Sequence, residues 1–201
     1  MYLINLYDNM VMSIEEHNER KGRSYKMILW FAMVSMFMMF AGLTSAYVVS
    51  TSRPDWLKDF VLPDAFIIST VVIILSSITF YMAKVSIKKN DKKATGAFLL
   101  VTLVLGILFV GCQFYGFSKV IESGYFFTGS ESNVTTSFLY IATLLHLAHL
   151  FAGIIVLLVV IYNHFKQKYN SSQTLGIELG AMFWHFLDIL WIYLFLFFYF
   201  Y

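Results

Sequence analysis

Apolar positions come in long runs along this chain. They show neither the alternation of a half-buried strand nor the narrow stripe of a surface helix. Residues 27–50 carry no charged side chain, and comparable runs occupy about 65–84, 94–118, 138–163 and 174–200. Each run matches or exceeds the roughly 20 residues that a helix needs to cross hydrocarbon. Backbone groups find no hydrogen-bond partner in lipid, so such a run satisfies itself only as a helix. The period-two pattern of a transmembrane barrel is missing. The pattern predicts an all-α, multi-pass membrane protein with five transmembrane helices in residues 27–201, after a polar N-terminal tail at 1–26.

Composition narrows the class further. Of 201 residues, 59% are hydrophobic and only 13% charged, about half the roughly 25% of a soluble domain. A soluble enzyme of this size could not hide that surface. The single cysteine, Cys112, rules out an internal disulfide and a cysteine-built zinc or iron–sulfur site. A net charge of +2 is too small for a nucleic-acid partner.

Charge placement orients the spans. Arg20, Lys21, Arg23 and Lys26 precede the first run. Lys84, Lys88, Lys89, Lys92 and Lys93 lie between the second and third, and Lys166 and Lys168 between the fourth and fifth. Only Arg53, Lys58 and Lys119 fall on the opposite side. The positive-inside rule therefore predicts a cytoplasmic N-terminus and a periplasmic C-terminus. The first apolar run is too long for a signal-peptide core, which predicts an uncleaved first span.

Ionisable groups inside hydrocarbon are costly, so each invites a functional explanation. The fourth run holds His146 and His149; the fifth holds Glu178, His185 and Asp188. At 100° per residue the two histidines lie about 60° apart on one helix face. Glu178 and His185 are two turns apart, and Asp188 follows one turn later. Several readings are open: a polar network pinning the two helices together, a His/Asp/Glu metal site, a proton relay through Glu178, His185 and Asp188, and a bis-histidine haem. Met33, Met36 and Met39 could offer soft copper ligands or adaptable packing. Gly176 and Gly180 either permit close helix approach or mark a helix start. Trp184 and Trp191 share a face that could meet lipid or the bundle. Trp56 reads as an interface anchor, and Cys112 as a small buried hydrophobe.

The stretch from Glu178 through Trp184-His185-Phe186-Leu187-Asp188 to Trp191 resembles the last-helix signature of cytochrome c oxidase subunit III. Thr143, His146 and His149, with Gly153 following, resemble that family's preceding helix, with Leu144 and Leu147 standing where the family has small residues. Gly106, Phe109 and Gln113 are similar to the helix before that. Leu29, Trp30, Ser35 and the Phe40–Tyr47 region are similar to the first helix of the five-helix bacterial form. At the position where family members commonly carry a glutamate after this serine, the chain has Met36, which cannot ionise.

The resemblance implies a non-redox, non-catalytic subunit without cofactor-binding or metal residues of its own. It would pack beside subunit I and subunit II of a haem–copper terminal oxidase, whose haem and copper lie in those partner subunits. It would stabilise subunit I, which reduces oxygen and pumps protons. Its helices would form two groups around a cleft filled with phospholipid, in a bacterial cytoplasmic (inner) membrane. The alternatives are a related accessory subunit of a quinol oxidase or a nitric oxide reductase, and a stand-alone membrane metalloprotein using His146, His149, Glu178, His185 and Asp188.

Overall fold

A computed structural model of the chain describes residues 2–54, 56–57, 62–127, 129, 133–171 and 173–200, with 2–15, 17 and 18 described by backbone alone. Five helices follow one another: α1 (Tyr2–Ser50), α2 (Asp64–Lys88), α3 (Lys92–Glu122), α4 (Val134–Phe165) and α5 (Leu175–Phe200). All five are long and apolar enough to cross a membrane, α1 over Glu19–Ser50. Among the described residues every regular element is helical, as the apolar pattern predicts.

The helices overrun the apolar stretches because two different things set the two boundaries. Lipid demands apolar side chains only across the hydrocarbon, whereas the hydrogen-bond ladder runs until something stops it. Between Tyr2 and Lys21 there is neither proline nor glycine, so α1 begins within the segment expected as a tail and passes into the first span without a break. The α2–α3 turn stops sharply for a local reason. Asn90 adopts φ 60°, a left-handed conformation that asparagine tolerates better than most residues. Asp91 then caps α3, its side chain accepting from the Ala94 N–H at 3.0 Å. Asn133 caps α4 in the same way, accepting from Thr135 N–H at 2.9 Å.

Helices α2 and α3 form the most intimate pair; α5 packs against α2 and α4, and α4 against α3. Among the described helices the backbone of α1 comes close to α4 and α5 alone. Two glycines let the inner helices approach. A Cβ at Gly106 would lie 2.8 Å from Trp184 Cη2, and one at Gly153 would lie 2.7 Å from Leu187 Cδ1. The main core gathers Phe66, Phe80, Phe109, Leu150, Trp184 and Leu187, while a smaller cluster of Phe40, Ala142, Leu190 and Leu194 joins α1 to α4 and α5. Near the C-terminal end of α1, the Tyr47 ring meets Trp56, Phe138, Phe197 and Phe198, its nearest ring being Trp56 at 4.7 Å. Thr44 and Tyr193 share a hydrogen bond of 2.7 Å just inside this cluster.

Candidate functional site

The polar groups of α5 find their partners chiefly on α2. Trp191 Nε1 donates to Thr70 Oγ1 at 3.0 Å, and Trp184 Nε1 donates to Ser76 Oγ at 3.1 Å. His185 Nδ1 is 2.7 Å from Ser77 Oγ. Going along α5 from Trp184 and His185 to Trp191, the partners on α2 step back from Ser76 and Ser77 to Thr70, so the bonds form rungs between antiparallel neighbours. Both tryptophans face the bundle. An indole is large and apolar but carries one N–H that must be satisfied when buried, and the α2 hydroxyls satisfy it. Gln113 extends the set sideways, donating from α3 to Ser69 Oγ at 2.8 Å, and Thr79 meets Thr102 of α3 at 2.8 Å.

The candidate residues of α4 and α5 occupy separate positions. His146 is fully buried, its ring 5.2 Å from Trp191, 6.2 Å from Phe109 and 6.5 Å from Phe40. Neither of its ring nitrogens has a hydrogen-bond partner among the described residues. His149 is half-buried and faces Phe40 of α1, with Nδ1–H donating to the Leu145 carbonyl at 2.7 Å. Asp188 is buried with both oxygens lacking a hydrogen-bond partner among the described residues; His185 Nδ1 lies 4.0 Å from its Oδ2. Glu178 stands two turns away at the start of α5. The five groups therefore do not link into one hydrogen-bonded network between α4 and α5. Among the described residues no three His, Cys, Asp or Glu side chains gather in a way that could hold a metal ion.

Glu178 forms a junction of three helices. It takes a 2.9 Å hydrogen bond from Lys26 of α1, lies 3.6 Å from Lys88 of α2, and accepts from Thr174 at 3.1 Å. This places it at the lysine-rich end, shared with the α2–α3 and α4–α5 turns. The Lys26 pair is partly exposed, so its worth lies near the top of the range for surface pairs. A double-mutant cycle of Lys26→Met and Glu178→Gln, read from thermal unfolding in detergent, should give a coupling of about 1 kcal/mol. The longer Lys88 contact should give less than half of that.

The remaining candidates divide between packing and surface. Met33 is buried, Met36 half-buried against the core and Met39 exposed, so the three do not converge on one point. Ser35 is exposed on α1, whereas Gln113 and Gly153 lie inside the bundle. Cys112 is only half-buried. Gly180 packs closely on Val160 of α4, while Gly176 faces the Tyr169 hydroxyl beyond the end of that helix. Sequence reasoning missed the hydroxyl rungs of α2. Their signal was present: the pairs Ser69-Thr70 and Ser76-Ser77 recur after seven residues within an apolar run, two turns apart on one face.

A bundle of five membrane-length helices, bound through indole and imidazole side chains that meet hydroxyls, defines a polytopic helical membrane protein. Comparison with known proteins specifies which. A family model described as cytochrome c oxidase subunit III matches residues 9–201. A cytochrome c oxidase subunit 3 of Thermostichus vulcanus is 30% identical over 167 residues, covering 81% of this chain and 80% of the relative. One from Alkalihalophilus pseudofirmus is 26% identical, covering 90% of each chain. A cytochrome bo(3) ubiquinol oxidase subunit 3 of Buchnera aphidicola is 26% identical, covering 97% of this chain and 96% of the relative. The chain belongs to the cytochrome c oxidase subunit III family.

Proposed function

We propose that this chain is the non-redox accessory subunit of a haem–copper terminal oxidase, in which it packs beside the catalytic subunit I and subunit II. The observation that carries this reading is the use made of the family's last-helix motif. Trp184, His185 and Trp191 are committed to hydroxyls of α2, so the motif holds helices in register and presents no convergent reactive groups. Oxygen reduction and proton pumping then belong to the partner subunit, which supplies the haem and copper. The lysine-rich end faces the cytoplasm of a bacterium and the C-terminus of α5 faces the periplasm, by the charge bias of the turns.

The packing also supports a structural role for lipid. Helix α5 separates α1 from α2, leaving α1 seated on α4 and α5 with most of its apolar surface uncovered. Phospholipid filling the notch between α1 and α2 would brace α1 against the rest. Met36 packs against the edge of the core, and its thioether contributes packing where an ionised group would demand water or a counter-charge.

The deciding experiment is purification of the tagged chain in mild detergent and identification of everything that comes with it. A haem–copper catalytic subunit is expected in stoichiometric amount. A chain that purifies without any redox partner, or with stoichiometric metal of its own, would overturn the assignment. The extent of the match to the bo(3) ubiquinol oxidase relative keeps quinol in view as the donor. The same preparation decides between the donors by whether it oxidises reduced cytochrome c or a quinol.

A further inference from the structure

A groove of about 430 Å³ opens at the lysine-rich end between the start of α3 and the end of α4. None of its lining residues belongs to α1 or α2. Lys92, Lys93 and Gln167 form its rim, Gly96 and His164 its inner wall, and Phe165 one flank. Three local features build it. Gly96 has no side chain, which lets the buried His164 ring come so near that a Cβ there would lie 3.2 Å from its Nε2. His164 Nε2–H donates to the Lys92 carbonyl at 3.0 Å and ties the two helix ends together. Gln167, at φ 55°, ends α4 and turns its amide to Lys92 Nζ at 3.5 Å.

Charge and size select the occupant. Among the described residues no acidic side chain lines the groove, and the neighbouring Asp91 is engaged in capping α3. A water occupies about 30 Å³, so the space is much too large for a bare ion and too small for a folded partner. Below the rim the walls become apolar. Leu100, Val104 and Ile107 of α3 are exposed at helical spacing, beginning from the groove-lining Leu100. Phe165, Leu158 and Phe151 of α4 are exposed seven residues apart. A cationic rim above two apolar stripes is complementary to one kind of molecule, with an anionic head and hydrocarbon tails.

We infer that the α3–α4 groove is a binding site for an anionic glycerophospholipid, with the phosphate between Lys92, Lys93 and Gln167 and an acyl chain along the Leu100–Ile107 stripe. Lys92 and Lys93 supply the charge, and Gln167 supplies amide donors once the lysine moves to the phosphate. His164 positions the rim and stays inside. The lipid staples the α2–α3 pair to the end of α4, at the seam that the His164 bond to the Lys92 carbonyl already closes.

The test uses the full chain in detergent, with whatever partners it retains, so a missing oxidase partner would not obscure the result. Native mass spectrometry compares retention of phosphatidylglycerol and phosphatidylcholine. The phosphatidylglycerol adduct should be retained about tenfold better, and the double variant Lys92→Glu/Lys93→Glu should abolish that preference. Lys119→Glu, at the opposite end, should leave it intact. Ala97→Trp, which fills the groove without altering charge, should also remove it and decides the matter where the double variant does not fold. Equal retention of the two lipids, or an unchanged preference in the groove variants, would overturn the site. Displacement of the lipid by millimolar inorganic phosphate would overturn it too, since it would show a phosphate site with no role for the tails.

Discussion

Trp191→Ala should destabilise the chain by about 3–5 kcal/mol, the range for deleting a large buried aromatic side chain. The indole touches three other helices at once. It stacks on Phe66 of α2 at 6.2 Å, meets Phe109 of α3 edge-on at 5.1 Å and lies 5.2 Å from the His146 ring of α4. It also donates to Thr70. Alanine would leave a cavity where four helices meet and would remove the donor to Thr70 Oγ1, whose own hydroxyl keeps its 2.8 Å bond to the Phe66 carbonyl. Trp191→Phe keeps most of the volume and should cost much less, near the 1 kcal/mol or so of a lost hydrogen bond plus a small void. Unfolding of the purified chain by denaturant or heat checks both. Equal effects of the two variants would show that the indole N–H, rather than its bulk, holds the junction.

Gly106→Ala should have the second largest effect and a distinctive sign. Alanine ordinarily stabilises a helix relative to glycine, by up to about 1 kcal/mol. At Gly106 the new methyl group would press on Trp184, an inflexible ring that is fully buried and already bonded to Ser76. Overpacking of this kind costs about 1–3 kcal/mol, and any retreat of the ring also weakens the Ser76 bond. Gly111 on the same helix has nothing within 4 Å of a built Cβ, so Gly111→Ala should be neutral or stabilising. Thermal unfolding midpoints for the two variants should move in opposite directions. A shift in the same direction would mean that helix propensity outweighs the α3–α5 contact.

These expectations show which parts of the molecule could be read from sequence. The five spans were legible because lipid punishes polar side chains so severely that the apolar runs are nearly continuous. The helix ends were not, since Lys88, Glu122 and Phe165 continue the backbone ladder past the hydrocarbon at little cost. In the site, the inward direction of Trp184 and Trp191 could not be chosen from spacing, because lipid and bundle are equally apolar. What decides it is the hydroxyl row of α2, a tertiary pairing invisible within either helix alone. Likewise His146 and His149 share a face in the helical-wheel sense, yet 60° is enough to send one into the Trp191–Phe109 core and the other toward α1. Glu178 was legible as polar near a span end; its Lys26 partner, 152 positions away, was not.

The seating of α1 bears on how the molecule is made. A ribosome delivers α1 before the other four helices, but among the described residues the helices packed against it are the two delivered last. About 125 residues separate the end of α1 from the start of α5, and at roughly 5–20 residues per second the delay is on the order of ten seconds. Until α4 arrives α1 must wait in the bilayer without a packed neighbour, and until α5 arrives with only part of its seat, which its uninterrupted apolar surface and basic flank equip it to do. The α2–α3 hairpin, closed by a turn of three residues between Lys88 and Lys92, needs no such wait. Assembly of α1 therefore comes late, and a chain interrupted before α5 leaves α1 with α4 as its sole partner among the described helices.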